Sequence, residues 1–476
     1  MSDLDSKIKE TFPEESVFKS SKEYGYFSGH NLPSFVKDWL IKKFTDRHGN
    51  LDIDALRDFL NTKIAHKGSA VKGSLLSDQE NITLLARILV EPDIKSGILK
   101  FSIPDINIKS NEGVIPSHIA QKFPELKGSD EVWGVVTLAY IPHEGGEAGK
   151  IGIVDYKPFK PYEVDVEYFR EKRKEFSLEE WIDLLIRSME YNPEGFESLS
   201  QKLLFLSRLL VFVEPNLNMI ELAPKGTGKS YVFNNLSKYC WVVSGGVVSR
   251  AKLMYDVARN APGLITLYDF IALDEIETIR FTEESELKGA LRTYLEFGNF
   301  SVANYRGVSH AGVILLGNIP LSQDKTPINV RYFEHLPIFF QDSALLDRFH
   351  GFIEGWNLPR MREDLKLSGY ALNVEYFSEI LHELRTISDF RDTVDKFLII
   401  PSNADTRDTK AVIKIATGYL KLLFPNVRNI QDMHKEDFEN YCLKPAIHMR
   451  KLIKKQISLI DTEFSDSVPA IGVKDM

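Results

Sequence analysis

The chain has 476 residues, of which 43% are hydrophobic and 27% charged, with a formal net charge of −9. This composition excludes intrinsic disorder, collagen and low complexity for most of the chain, and the length predicts roughly three domains. The two cysteines, Cys240 and Cys442, are too few for a disulfide framework or a Cys-rich zinc module. The negative charge argues against general coating of nucleic acid, so any nucleic-acid site must be a local basic patch.

The beginning of the sequence, MSDLDSKIKE, lacks the basic start and apolar run of a signal peptide. No apolar stretch approaches the roughly 18 residues that a membrane-spanning helix needs. Free cysteines fit a reducing compartment. We therefore expect a cytoplasmic protein that has no contact with a membrane.

The N-terminal third is predicted to contain two modules. Apolar residues recur at intervals of three and four, which predicts a helical module over residues 1–95. From Gly97 onward the period changes to two, which predicts a β-rich domain over residues 96–165. The helical recurrence involves Phe35, Val36, Trp39, Leu40 and Phe44, then Leu56, Phe59 and Leu60, then Leu84, Leu85, Ile88 and Leu89.

The remainder is predicted to be a connector, an α/β core and a helical region. Ser177 and Glu180 have the spacing of a capping box that opens a helix within a connector over residues 166–200. Strand-like runs alternate with amphipathic stretches over residues 201–357, which is typical of an α/β domain with a mostly parallel sheet. Residues 358–462 are again helical in pattern, and residues 463–476 form a polar tail.

The clearest motif is a glycine-rich loop between a predicted strand, residues 218–222, and a predicted helix, residues 231–236. Its glycines let backbone N–H groups turn toward phosphate, its lysine neutralises the β- and γ-phosphates, and its serine holds Mg²⁺. Ala223 replaces the first glycine of the usual pattern. The simpler alternative is a turn that binds nothing. The expected ATP-binding residues are Pro224, Lys225, Gly226, Thr227, Gly228, Lys229, Ser230 and Tyr231.

Three further elements with candidate roles in phosphate chemistry follow along the chain. The run 270–273 ends in Asp274 and Glu275, which are expected to hold the metal and to polarise the attacking water. A solvated strand end is the alternative for this pair. The strand predicted over residues 312–318 ends in Asn318, a candidate γ-phosphate sensor, and Arg348 lies at the end of a short apolar helix.

This order resembles the AAA+ ATPases, an α/β P-loop NTPase core with a helical lid. By that resemblance Lys229 and Ser230 belong to Walker A, Asp274 and Glu275 to Walker B, Asn318 is sensor 1 and Arg348 the arginine finger. The finger would act on a neighbour's nucleotide, which implies a ring. A second-sensor arginine would open a lid helix, and Arg407 is the choice, with Arg360 and Arg362 as alternatives that are equally explained as surface charges.

The stretches 212–222, 225–231 and 346–351 closely resemble the BrxL family, the Lon-protease-like ATPases of BREX phage defence. Residues 7–13 and 419–425 look similar to the same family. The resemblance implies an N-terminal DNA-binding region, encirclement of double-stranded DNA by a homo-oligomeric ring, expected to be hexameric or stacked, and other BREX proteins as partners. Longer members end in a Lon-like domain, and we expect none in the 15 residues after Asp461, nor do we find H-E-x-x-H or G-x-S-x-G.

Two groups of residues are candidate DNA contacts. In helicase-like AAA+ proteins a hairpin before the sensor-1 strand reaches into the pore, and residues 299–310 lie there. Arg306 could meet a phosphate and Tyr305 a sugar or base, although a purely structural hairpin is the alternative. Near the N-terminus, Lys63, Lys67 and Lys72 lie in a predicted loop that could grip phosphate, or could simply be solvated.

The leading functional hypothesis is a Mg²⁺-dependent ATPase that binds DNA, and possibly moves along it, in phage defence. A protein remodeller that serves a separately encoded protease is the alternative from another class. Trp241 and Tyr255, between the Walker motifs, do not have the context of an unfoldase pore loop. A DNA-bound scaffold whose hydrolysis only controls loading is a third hypothesis, which the sequence separates poorly from the first.

Overall fold

The computed structural model describes residues 3–474, except 31, 47–49, 67–69, 78–79, 94–96, 125, 127–130, 143–148, 161, 163 and 259. The chain forms two compact units. One comprises Met1–Ser21 and Val164–Met476, and the other comprises Lys22–Glu163. The second unit is therefore an insertion in the first, which the chain leaves after strand β1 (Ser16–Lys19).

The inserted unit contains a closed five-stranded barrel. Its strands are β2 (Ile82–Asp93), β3 (Ile98–Ile103), β4 (Ile108–Ile115), β5 (Glu131–Ile141) and β6 (Lys150–Pro158). They pair in the order β2-β3-β4-β6-β5, with β4 and β6 parallel. A helix lies between the third and fourth strands, so the arrangement is that of an OB-fold. The helices of this part of the chain are Ser21–Gly25, Ser34–Phe44, Ile53–Lys63, Val71–Ser77 and Ser117–Lys122.

The helix expected over residues 84–89 is wrong, because these residues belong to β2. Leu84, Ala86, Ile88 and Val90 alternate into the barrel core. Leu85 faces the other way, yet it is also buried, and Ile64 forms a bridge beside it. A strand covered on both faces gives apolar neighbours that imitate a helical period. The helices predicted around Phe35 and Leu56 and the strands around Phe101, Val136 and Ile153 are confirmed.

The larger unit is built on a parallel sheet of five strands. Parallel strands are buried on both faces and are therefore almost continuously apolar, as the strands Asn218–Ala223 and Gly312–Asn318 are. The strands of this region are β7 (Asn218–Ala223), β8 (Cys240–Val248), β9 (Tyr255–Asp256), β10 (Ala261–Pro262), β11 (Phe270–Phe281), β12 (Asn299–Val302), β13 (Tyr305–Val308), β14 (Gly312–Asn318) and β15 (Gly351–Glu354). The sheet order is β15-β7-β14-β11-β8, so the first strand in sequence is flanked by the fourth and fifth.

Helices surround this sheet and continue beyond it. Those before and within the sheet region are Val166–Lys172, Leu178–Ser188, Leu199–Leu206, Leu210–Val213, Lys229–Asn235, Arg250–Leu253, Leu264–Leu267, Glu284–Phe297 and Ser343–Leu346. Those of the C-terminal region are Val374–Thr386, Asp389–Phe397, Thr406–Leu423, Lys435–Phe438 and Lys444–Ser458, with a π-helical turn at Glu439–Leu443. The predicted capping box is confirmed, since Ser177 Oγ accepts from the N–H of Glu180 and the Glu180 carboxylate accepts from the N–H of Ser177.

The first residues of the chain are firmly attached to the larger unit. Strand β1 pairs with β16 (Gly369–Leu372), and the helix Asp3–Thr11 contributes Asp5, whose Oδ1 accepts from Nη1 of Arg187 at 2.7 Å. The predicted polar tail also contains a strand, because β17 (Leu398–Ile399) pairs with β18 (Gly472–Val473). Within the described ranges, no helix has the length and apolar character needed to cross a membrane.

Candidate nucleotide site

The glycine-rich loop connects β7 to the helix that begins at Lys229. Gly226 and Gly228 have φ values of +86° and +74°, which side-chain-bearing residues rarely adopt. A Cβ on Gly228 would stand 2.0 Å from the hydroxyl of Tyr191, whereas a Cβ on Gly226 would meet nothing within 4 Å. The loop is thus closed on one side and open on the other, as a phosphate cradle requires.

Ala223 fits where the usual pattern has glycine. It is the last residue of β7, is fully buried and has no positive φ. A Cβ added to Gly355 would lie 2.4 Å from the Ala223 Cβ. Gly355 on the neighbouring segment therefore leaves the space that the Ala223 side chain occupies.

A buried ion pair between Arg208 and Glu221, which the sequence analysis did not predict, contacts the glycine-rich loop. Arg208 donates from Nη2 and Nε to the two carboxylate oxygens of Glu221 at 2.5 and 3.0 Å, and both side chains are 0% exposed. Its Nη1 donates to the carbonyl oxygen of Thr227 at 3.1 Å. The sequence did contain a signal for this ion pair, since Glu221 is one acidic residue in an otherwise apolar strand and therefore requires a buried partner.

The predicted Walker A lysine and the predicted sensor lie together. Lys229 Nζ donates to Oδ1 of Asn318 at 2.9 Å, and Asn318 donates from its amide nitrogen to Glu277. In the sheet register Asn318 stands beside Ala223, at the start of the loop. Burial lowers the pKa of Lys229, while Glu221, Asp274 and Glu277 oppose that effect. A buried lysine with a perturbed pKa beside a glycine-rich loop is a candidate functional group.

The predicted carboxylate pair lies within β11 rather than at its end. The expectation that the strand stops at Asp274 and Glu275 is wrong, because the register with β8 breaks after Asp274 and resumes at Ile279. Asp274 is buried and accepts from the N–H of Glu275 at 2.9 Å. Glu275 has a φ of +48° and an exposed side chain, and such backbone strain clusters at functional sites. Glu277, two residues further along the strand, was not predicted.

The residues present fit a magnesium ion. Mg²⁺ prefers hard oxygen ligands and keeps several waters, so one carboxylate, one hydroxyl and substrate phosphates are sufficient. Near the loop, Asp274 and Ser230 are the residues that would provide the carboxylate and the hydroxyl. Among the residues that the structure describes, no cluster of three or more His, Cys, Asp or Glu side chains could hold an ion without a phosphate.

Other predicted loop residues differ in exposure. Pro224 is buried, Lys225 is exposed, and the exposed Tyr231 donates its hydroxyl to Glu190. The N–H of Met361 donates to the carbonyl oxygen of Gly226 at 2.7 Å. The alternative second-sensor residues, Arg360 and Arg362, therefore flank a residue that touches the loop.

Arg348 and Arg407 lie at the other edge of the sheet. Arg348 precedes β15 and lies close to Asn218, the first residue of β7. The N–H of His350 donates to the carbonyl oxygen of Asn218 at 2.8 Å, and the N–H of Asn218 donates to Nδ1 of His350 at 2.9 Å. The six residues of β7 span about 20 Å. Arg407 Nε donates to Glu296 at 2.8 Å, and Arg348 Nε is 3.4 Å from the same carboxylate.

These two arginines face a basic cavity of about 290 Å³. Its further cationic lining residues are Arg391, Lys410 and Lys414. Nε of Arg348 is buried and has no hydrogen-bond partner among the described residues. Both guanidinium groups thus meet Glu296 at the amino edge of the sheet, whereas the phosphate loop follows the carboxyl end of β7.

The candidate DNA contacts lie in different settings. The predicted hairpin is formed by β12 and β13. Arg306 on it is exposed, whereas the ring of Tyr305 stacks on Tyr255 with centroids 3.7 Å apart. The loop predicted around Lys63 and Lys72 is wrong in part, because Lys63 ends one helix and Lys72 lies in the next. Lys72 pairs with Glu112 at 2.6 Å, and Lys67 lies outside the described residues.

A parallel sheet with the order 5-1-4-3-2, a glycine-rich loop after its first strand and a lysine–asparagine pair at that loop define the α/β class to which AAA+ ATPases belong. Two family models match the chain. Residues 151–470 match "Lon-like protease BrxL-like, ATPase domain" and residues 10–140 match "BREX system Lon protease-like protein BrxL N-terminal". The chain belongs to the BrxL family, so the resemblance drawn from the sequence is confirmed.

Two curated relatives match nearly the whole chain. Lon-like protease BrxL of Bacillus cereus (strain H3081.97) is 30% identical over 474 residues, which cover 98% of this chain and 68% of the relative. Lon-like protease BrxL of Escherichia coli O9:H4 (strain HS) is 28% identical over 470 residues, which cover 98% and 66%. The chain thus spans about two thirds of the length of these relatives.

Proposed function

We propose that this chain is a Mg²⁺-dependent ATPase whose subunits form a ring on double-stranded DNA and act with other BREX proteins. The observation that carries the proposal is the division of the site between two edges of one sheet. Lys229 and Asn318 lie at the carboxyl edge, and Arg348 lies at the amino edge, with the length of β7 between the two edges. A neighbouring subunit that presents its amino edge to the loop would supply the missing guanidinium.

Each residue at the loop has a defined task in this proposal. When bound, Mg²⁺ neutralises charge on the β- and γ-phosphates. Lys229 contacts these phosphates, and Asp274 and Ser230 hold the ion. Glu275 accepts a proton from the attacking water, and Asn318 orients that water or the γ-phosphate, which it can do because its amide already connects Lys229 to Glu277.

Arg407 belongs with Arg348 in this scheme. The two guanidinium groups share the Glu296 carboxylate and one cavity. We therefore assign both to the nucleotide of the neighbour. Arg360 and Arg362 remain the residues available to the nucleotide of the same chain.

Two features support DNA as the partner. The inserted unit has the barrel arrangement of OB-folds, many of which bind nucleic acid, although a fold by itself does not define a function. The hairpin of β12 and β13 presents Arg306, whose side chain has no ion-pair partner within the described ranges. An exposed cation on a strand of this hairpin suits phosphate contacts that are independent of sequence.

The test is the rate of ATP hydrolysis with and without duplex DNA over a salt series. We expect stimulation by DNA that falls steeply with salt, since phosphate contacts release counterions. Lys229→Ala, which removes the cation that meets the β- and γ-phosphates, is the inactive control. Stimulation by an unfolded protein and not by DNA would instead favour the remodeller.

The ring is tested separately by mixing two inactive variants. Arg348→Ala has an intact loop and no finger, and Lys229→Ala has an intact finger and a defective loop. In an equimolar mixture about a quarter of the interfaces combine the two intact halves. Recovered hydrolysis supports action between subunits, and its absence in mixed assemblies that co-purify through two different tags contradicts it.

A further inference from the structure

A buried arginine from the last long helix holds the segment that carries Arg348. Arg450 lies in the helix Lys444–Ser458 and is 0% exposed. Its Nη1 donates to the carbonyl oxygens of Asp347 at 3.0 Å and of Phe349 at 2.8 Å. These are the residues immediately before and after Arg348, so a single guanidinium fixes the backbone on both sides of the finger.

The same guanidinium links this segment to a second helix. Arg450 donates from Nη2 to Oδ1 of Asp347 at 2.6 Å and from Nε to Oδ1 of Asp408 at 2.7 Å. The other oxygen of Asp347 accepts from Nη1 of Arg407 at 2.5 Å. Burial would raise the pKa of Asp347, but Arg450 and Arg407 together hold it below its ordinary value. The segment is therefore connected by charge to both Arg407 and Arg450.

Stability does not by itself account for such a cluster. Buried ion pairs are commonly replaced by well-packed apolar residues at no loss of stability. An apolar side chain cannot, however, direct two carbonyl groups. The side chain of Arg348 depends on that backbone, because its Nη1 donates to the carbonyl oxygen of Ala344 on the same segment, while its Nε lies 3.4 Å from Glu296 and has no hydrogen-bond partner among the described residues.

We propose that Arg450 is a positioning residue that aims Arg348 at the nucleotide of the neighbouring subunit. It acts through the carbonyl groups of Asp347 and Phe349. The inference rests on the proposed function, in which Arg348 completes a neighbour's site. It predicts a defect that is confined to catalysis at that neighbour.

The first variant is Arg450→Lys in the full chain. Lysine keeps the positive charge that Asp347 and Asp408 require, but it cannot hold four acceptors in the fixed geometry of a guanidinium. Binding of a fluorescent ATP analogue should remain within about twofold of the parent, because Lys229 lies at the opposite edge of the sheet. Hydrolysis should fall about 10²-fold, the usual cost of misplacing a catalytic group by about 1 Å.

Asp408→Asn is the matched control. It removes a charge from the same buried cluster, yet it leaves the bonds of Arg450 to Asp347 and Phe349 in place. We expect it to lower the melting temperature at least as much as Arg450→Lys does, and to keep hydrolysis within about threefold of the parent. Equal losses of hydrolysis in the two variants would mean that Arg450 only stabilises the fold, which would overturn the inference.

Mixing Arg450→Lys subunits with Lys229→Ala subunits separates a positioning role from a merely structural one. The measurement is the recovery of ATP hydrolysis. Arg450→Lys subunits keep an intact loop, so an intact finger from Lys229→Ala subunits should restore their hydrolysis. Failure here, when the mixture of Arg348→Ala with Lys229→Ala recovers, refutes the positioning role alone. Failure of both mixtures refutes the proposed action between subunits, and the inference with it. If Arg450→Lys does not fold by circular dichroism, Asp347→Asn weakens the same link and should give the same recovery.

Discussion

The ion pair beneath the phosphate loop gives the most quantitative prediction. Arg208→Met removes the partner of Glu221, whose carboxylate is 0% exposed, and an uncompensated buried charge costs about 3–5 kcal/mol. For a unit of this size, each kcal/mol lowers the melting temperature by about 2 °C. We therefore expect a fall of about 6–10 °C, measured by circular dichroism without nucleotide.

A double variant separates the charge from the packing. In Arg208→Met combined with Glu221→Leu, no charge remains buried, so most of the lost stability should return. The bond from Arg208 to the carbonyl oxygen of Thr227 is absent from both variants. Both should therefore gain less thermal protection from MgATP than the parent does. A single variant that melts within about 1 °C of the parent, or a double variant no more stable than the single one, would refute the reasoning.

Three further predictions concern other parts of the molecule. Glu275→Gln should bind ATP but lose hydrolysis by about 10²–10⁴-fold, whereas Glu277→Gln should lose less than about tenfold; the reverse order in a phosphate-release assay would make Glu277 the base. Arg306→Ala should weaken duplex binding for all sequences and reduce the salt slope by about one unit, as measured by fluorescence anisotropy, while Arg331→Ala, another exposed arginine, should not change the slope. Burial raises the pKa of Glu375 to about 7 from an ordinary 4.5, so its contribution to stability is complete below about pH 4.5 and is lost as the pH rises through about 7. Glu375→Gln should therefore gain stability relative to the parent as the pH rises over that window in urea titrations, and a constant difference would contradict the assignment.

The sequence could predict what depends on neighbouring residues. The loop at Lys229, its flanking strand and helix, and the strand before Asn318 are local patterns, and the structure has all of them. The capping box at Ser177 is local in the same sense. The barrel could not be predicted in this way, because its closure depends on β4 pairing with β6, a contact between residues about 40 positions apart.

Long-range charge partners were the other omission. Arg450 meets Asp347 across 103 positions, and Arg407 meets Glu296 across 111. Nothing in the spacing of such residues identifies the partner. The sequence does show a charged residue within an apolar run, and such an arginine or glutamate must be paired or must lie at a surface. Glu277 was missed for a simpler reason, because the strand was expected to end at Asp274 and Glu275, whereas β11 continues to Phe281.

The chain order of the two units decides how the molecule can be divided. Because the barrel unit is an insertion, a cut near residue 164 does not release an intact ATPase unit. A fragment that starts there lacks β1, so β16 becomes an unpaired edge, and it lacks Asp5, so Arg187 keeps a buried charge without this carboxylate. Removing residues 22–163 and joining the two ends through a short linker keeps both contacts. Dissection of this protein therefore requires an internal deletion rather than a truncation.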